Sequence, residues 1–402
     1  MTTPARERCN AGKQFAVATH ALNDLHLVDT TLFYSPTSGG VKRYLNAKHL
    51  WLAAHSRWQH TLVVPGERDR TERGGVCTLA GYRVPGSFNY RLPLDPRRWL
   101  RLIDALQPDL IEAGDTFHPA WAACRLARRR GIPIAAFYHS NLPQIISRRM
   151  GGRLTERALE RYVSWLYERF DVVFAPSRLM CDLLNALGVP HAVHQPLGVD
   201  GEVFRPERRG GWLRERLGLA PATRVLVYAG RFAGEKNLPV LLEAFALLGS
   251  PYHLLLIGSD REARPAANVT MLPYRRDSIE LAEWLASADA LVHAGTKETF
   301  GLVLLEAMAC GRPVVAARAG AIPEFVDEGV GMLAEPGSGA RMAEAIAALY
   351  ERDIEALGTN ARAKVLRKFT WNRAFQGQMA AYKALLGRER IALPGTEAVE
   401  PS

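Results

Sequence analysis

The chain has 402 residues, 48% of them hydrophobic and 23% charged, with a formal net charge of +10. This balance fits a soluble globular protein with room for two sizeable cores. No apolar run approaches the roughly 18 residues of a membrane span, and the N-terminus lacks the long apolar centre of a signal peptide. The five scattered cysteines (Cys9, Cys77, Cys124, Cys181, Cys310) form no C-x-x-C pair, so neither a disulfide framework nor a zinc site is indicated and a cytoplasmic protein is expected. Charge is uneven: residues 1–205 hold 27 Lys/Arg against 18 Asp/Glu, the remainder 24 against 23. A basic first half points to an anionic partner, whether a membrane surface, a phosphorylated acceptor or nucleic acid, or equally to an Arg-rich source genome.

Short apolar runs alternate with amphipathic helical stretches, the pattern of parallel βαβ units. In the first half the runs are "LHLVDTTLFY", "HTLVVPG", "DLIEAG", "PIAAFYHS" and "VVFAPS". Gly39 and Gly40 follow the first and precede a helix, where glycine lets backbone approach a ligand closely; a plain strand-to-helix turn would look the same. Asp115 and His118 lie just after the third run. Tyr138, His139 and Asn141 lie at the end of the fourth, polar groups that are each more often structural than catalytic. The next stretch interleaves Arg148, Arg149 and Arg153 with Ile145, Ile146, Met150 and Leu154, a mixture suited to a membrane interface or to a lid over a soluble acceptor. "LGVDGEVFRPERRGG", residues 197–211, reads as the join between two halves.

In the second half the strands are "RVLVYAG", "HLLLIGS", "VTMLP", "ALVHAG" and "RPVVAA". Arg231 and Lys236 sit between the first of these and the next helix, able to hold a diphosphate or simply to be a solvated pair. The stretch "KETFGLVLLEAMACGRPVVAA" carries Glu298 and Glu306 with seven residues between them. A helix there is apolar on every face but that of Glu306, so it packs inside the protein, and Gly311 followed by Pro313 stops it. A buried carboxylate is costly unless it is paired. It is satisfied either by an Arg or backbone amides, or by a ligand. Side chains lean toward the helix N-terminus, which aims Glu306 at the turn Thr299-Phe300-Gly301, a natural anion site. Phosphate at one end and hydroxyls nearby describe a nucleotide sugar. Trp51, Trp58, Trp99, Trp165 and Trp284 fall in helical runs and are expected to be packing residues. Two doubly wound domains are predicted to share a cleft at their strand C-terminal ends.

"GGV" after the first strand, Arg231 with Lys236 five residues on, and "ETFGLVLLEAMACGRPVVA" together resemble the retaining glycosyltransferases of family 4, which have the GT-B fold. The likeness runs from about residue 25 nearly to the end, and "PLGVDGEVFRP" is similar to that family's interdomain segment. It implies a first, acceptor-side domain over 1–196, a nucleotide-sugar domain over 197–371, and a returning helix and tail over 372–402. Glu306 is then the partner of the nucleotide ribose and Glu298 of the donor hexose. Arg231 and Lys236 hold the diphosphate with the Thr299–Gly301 backbone, Gly40 approaches it from the other domain, and His139 faces the transferred sugar. "AGAIPEFVDEG" departs from the family's "GGIPE" by placing Ala321 at the second Gly. No cofactor or metal is implied, and no D-x-D pair is present. The expected partners are a GDP- or UDP-hexose and a lipid or glycan acceptor, with an anionic membrane as a further candidate. A sugar phosphorylase or nucleotide-sugar epimerase of the same fold stays open, as does a basic binding protein, although no nucleic-acid signature is present.

Overall fold

In the computed structural model the described residues are 24–35, 39–84, 90–143 and 152–391. Two seven-stranded sheets organise them. The first contains β1 (His26–Thr30), β2 (Gln59–Gly66), β3 (Val76–Ala80), β4 (Leu110–Ala113), β5 (Ile134–Phe137), β6 (Val172–Ala175) and β7 (Ala192–His194). Its order is β3-β2-β1-β4-β5-β6-β7, and every pair is parallel. The second contains β8 (Arg224–Ala229), β9 (Tyr252–Ser259), β10 (Ala263–Ala266), β11 (Val269–Pro273), β12 (Ala290–His293), β13 (Val314–Ala317) and β14 (Gly331–Ala334). Its order, β10-β11-β9-β8-β12-β13-β14, is parallel except at the β10 edge.

Helices cover both faces of each sheet, so the central strands are buried along their length and read as continuous apolar runs. All ten predicted strands are present. In each sheet the order reverses beside the first strand, between β1 and β4 and between β8 and β12, the place where such sheets open a crevice for ligands. The helices that shape the crevice are α1 (Gly40–His55), α2 (His118–Arg130), α3 (Gly152–Tyr167), α4 (Arg178–Ala186), α5 (Leu238–Leu248), α6 (Leu302–Ala309) and α7 (Trp371–Ile391).

The chain crosses between the sheets twice, and the two crossings lie side by side. The Val199 amide donates to the Phe369 carbonyl at 2.9 Å, and Val199 pairs with Thr370. Beyond the second crossing α7 packs on α1. There Trp51 Nε1 donates to Asn372 Oδ1 at 2.9 Å, and Trp371 and Phe375 stack at 5.3 Å. Of the tryptophans expected in helices, Trp58 instead lies in the loop before β2, while Trp99 is wholly buried and Trp165 is half exposed.

The largest departure from a plain apolar core lies beneath α1 and α7. Lys48 Nζ reaches Asp29 and Glu112, each at 2.9 Å, and donates to the Tyr382 hydroxyl oxygen at 2.8 Å. Tyr382 also donates to Glu112 Oε2, and the Tyr44 hydroxyl donates to Glu112 Oε1 at 2.8 Å. Lys48, Asp29 and Glu112 are each at most 2% exposed.

Candidate functional site

The second domain supplies most of the charge. β8 ends at Ala229, and a turn carrying Arg231 leads to the single 3₁₀ turn Gly234–Lys236 and then α5. Asn237 takes the left-handed conformation at φ 50° and ties the turn to the residue that follows β12 by donating from Nδ2 to the Ala294 carbonyl at 3.1 Å. This places Lys236 Nζ on Glu298 Oε1. Arg231 lies 3.9 Å from Glu235 at the cleft rim.

Glu298 has a second partner that sequence reasoning missed. His293 ends β12, and its Nε2 lies 3.1 Å from the same Oε1. The Gly295 amide donates to His293 Nδ1 at 3.1 Å. Nδ1 is therefore the acceptor nitrogen, and Nε2 carries the proton given to Glu298. Burial works to raise the Glu298 pKa, but the charge of Lys236 and the His293 bond outweigh it and hold the carboxyl well below the usual range. Gly320, at φ +58°, lets the following loop lie on the Glu298 backbone: a Cβ there would meet the Glu298 carbonyl oxygen at 2.6 Å. Ala321, the residue that departs from the family pattern, adopts φ −80° and donates its amide to that carbonyl at 3.0 Å. Its position needs no glycine.

Glu298 leads into Thr299-Phe300-Gly301 and α6. Gly301, at φ 96°, turns the chain into the helix. The Phe300 ring packs against Phe325 and Phe369 in the core, so this candidate donor contact is confined to its backbone. Glu306 is 2% exposed on α6 and accepts a hydrogen bond from Arg43 on α1, the structural partner that its burial required.

The first domain closes over this helix start. Gly39 caps α1 without a side-chain bond, and a Cβ on Gly40 would lie 3.3 Å from Leu302 Cδ1. Thr299 Oγ1 donates to the His139 carbonyl at 3.0 Å. Glu324 of the second domain accepts from the Arg178 and Leu179 amides, both at 2.9 Å, satisfying unpaired N–H groups at the start of α4. None of these three contacts was legible locally.

His139 stacks on Phe137 at 4.3 Å and meets Tyr44 edge-on at 5.0 Å. Burial lowers its pKa to about 3, Lys48 adding to the effect, so the ring is neutral at physiological pH. Because this value lies below that of the unfolded chain, the neutral ring stabilises the fold above about pH 6.5, and the contribution is lost as pH falls toward about 3. Its Nε2 is buried without a hydrogen-bond partner. A recess beside it is lined by Phe33, Asp115, Thr116, Ser140 and Leu142. Asp115 accepts from the Leu32 amide at 2.6 Å and the Phe117 amide at 2.7 Å, and burial pushes its pKa up to about 6 against those bonds. The other acceptor-side candidates do not line this recess. Tyr138 is wholly buried against Tyr167 and donates to Asn141 at 3.3 Å. Its ring lies in the core, one layer behind the recess that Tyr167 lines. His118 begins α2 and packs against Trp121.

Arg148 and Arg149 lie outside the described residues. Arg153 is exposed on α3 with Arg157 and Arg161, beside Leu154 at 80% and Trp165 at 49% exposure. At 100° per residue these five fall within an arc of about 120°.

The family model described as Glycosyltransferase Family 4 matches residues 38–203, and that described as Glycosyl transferases group 1 matches 223–352. A GDP-mannose-dependent alpha-mannosyltransferase of Mycobacterium tuberculosis is 33% identical over 341 residues, covering 81% of this chain and 86% of that protein. The chain belongs to glycosyltransferase family 4. A second relative, the GDP-mannose-dependent alpha-(1-6)-phosphatidylinositol dimannoside mannosyltransferase of the same species, is 29% identical over 90% of this chain and 97% of its own length. The sucrose-phosphate synthase of Thermosynechococcus elongatus superposes with a TM-score of 0.75 at 20% identity, over 90% of this chain and all of that one. The family 4 chain thus has the GT-B fold, and it is a glycosyltransferase.

Proposed function

We propose that this glycosyltransferase moves a hexose of the mannose or glucose type from a GDP- or UDP-sugar to a lipid or glycan acceptor, with retention and without a metal. The reading fits glycolipid or envelope-polysaccharide synthesis, and GDP-mannose is its favoured donor because both mycobacterial relatives are GDP-mannose-dependent. The observation that carries it is the convergence of Lys236, Glu298 and His293 on the N-terminal side of α6. Departure of a nucleoside diphosphate creates negative charge. An ammonium with three donors, the Arg231 guanidinium and the unpaired amides of the helix start meet that charge where it develops. These groups take the part that a metal plays elsewhere.

Glu298, kept ionised, accepts from donor-hexose hydroxyls, and Glu306 from the ribose. In the transfer the bond from C1 to the phosphate oxygen breaks and the bond from C1 to the acceptor oxygen forms on the same face. The acceptor hydroxyl proton passes to the leaving phosphate. His139 is too weak a base to take that proton, and its Nε2 instead hydrogen-bonds a sugar hydroxyl. The experiment is a thermal-shift comparison of GDP, UDP and ADP: the preferred nucleotide at about 100 times its dissociation constant adds about 2.7 kcal/mol. If none of the three raises the melting temperature, the nucleotide-sugar reading is wrong.

The basic, partly apolar face of α3 docks the enzyme on an anionic membrane, where a lipid acceptor enters. No helix among the described residues is long and apolar enough to cross a membrane. Three arginines near such a surface contribute about 3 kcal/mol in all. Sedimentation with phosphatidylglycerol vesicles is expected at low salt and not at high salt, and to be lost when Arg153, Arg157 and Arg161 are all Ser. Equal binding by that variant sinks the docking.

A further inference from the structure

The residue that holds Glu306 belongs to the other domain. Arg43 lies one turn into α1, on the same face as Gly40, and the close approach of Gly40 to Leu302 sets α1 against α6. From there its Nη1 donates to Glu306 Oε1, joining residues 263 apart in sequence. The second carboxylate oxygen, Oε2, is buried and has no hydrogen-bond partner. A buried acceptor left unmet is costly, and in native proteins it calls for a partner. The Arg43 side chain is 24% exposed against 2% for Glu306, so the pair has one member reaching toward the cleft. A guanidinium is planar and always charged, and it fixes a carboxylate in orientation as an ammonium cannot.

We propose that Arg43 is a positioning residue for the nucleoside diphosphate part of the donor. It occupies one oxygen of Glu306 so that the other receives the ribose hydroxyls, and it thereby makes the nucleotide site a product of both domains. The proposal rests on the reading of Glu306 as the ribose acceptor. A simple interdomain tie is the rival, and the two differ in what they do to ribose recognition.

The test is calorimetric titration of the full chain with GDP or UDP, whichever the parent binds more tightly, and with its 2′,3′-dideoxy counterpart. The proteins are the parent, Arg43→Ala, Arg43→Gln and Glu306→Ala; the Gln variant keeps a donor at position 43 and serves if the Ala variant does not fold. The parent is expected to prefer the ribonucleotide by about tenfold or more, the worth of one charge-assisted hydrogen bond. In the Arg43 variants affinity for the ribonucleotide falls by about tenfold, and affinity for the dideoxy form barely changes, so the preference collapses. If both nucleotides weaken together and the preference persists, Arg43 is only a tie and the proposal is overturned. If Glu306→Ala also keeps the parental preference, the ribose reading itself has failed, and this proposal falls with it.

Discussion

Lys236→Ala lowers turnover by about two to three orders of magnitude, the usual cost of removing one preorganised group that faces developing charge. The expectation follows from position. Lys236 is delivered by a single 3₁₀ turn pinned through Asn237, and it meets Glu298 beside the first turn of α6. The same substitution takes the cation away from Glu298, which keeps only the His293 bond. Its depressed pKa then rises, because burial is the larger opposing influence. The fold is expected to survive, since Lys236 is partly exposed and Glu298 retains one donor. Steady-state turnover with GDP-mannose and a lipid acceptor, beside a melting curve, measures the effect. Turnover within threefold of the parent, about 0.7 kcal/mol of barrier, removes Lys236 from the mechanism.

Lys48→Met destabilises the protein by about 3–5 kcal/mol, the range for leaving a buried charge without its partner. One cation serves two carboxylates here, and the two respond differently. Burial opposes ionisation of both; at Asp29 the charge of Lys48 and the His60 contact overcome it and the pKa is lowered, whereas at Glu112 burial prevails and the pKa is raised. The tyrosine hydroxyls of Tyr44 and Tyr382 complete the Glu112 shell. Adding Glu112→Gln to Lys48→Met is expected to recover part of the loss, since one of the stranded acids is then neutral. Urea denaturation of the parent, the single variants and the double variant provides the cycle. A Lys48→Met midpoint equal to the parent's shows that the cluster does not support the fold.

The two results could not have been anticipated equally well from the sequence. The ten central strands were visible because burial on both faces makes each a continuous apolar run. The outer strands were not: β3 alternates between buried and half-buried positions, and β7 has three residues, two of them exposed. At the site, Glu298 with Glu306 and Arg231 with Lys236 were legible because each pair is spaced within one short segment. His293 was within reach, a histidine ending a strand five residues before Glu298. Arg43 and Glu324 were beyond it, since their partners are 263 and 146 residues away. The Lys48 cluster is the extreme case: every member lies in an otherwise unremarkable run, and only the pairing of β1 with β4, the packing of α1 and the return of α7 bring them into one group. The donor roles that the resemblance implies fall on a region of convergent charge, but the resemblance had nothing to say about what holds Glu306.

That return also sets an order of events during synthesis. Lys48 and Tyr382 are 334 residues apart. At about 5–20 residues per second, on the order of tens of seconds separates their emergence from the ribosome. Throughout that interval the first sheet can assemble around Lys48, Asp29 and Glu112, but without the hydroxyl and the apolar lid that α7 brings. The nascent first half therefore waits with ionised groups in a half-built interior, held open to water, and only the late arrival of α7 seals it.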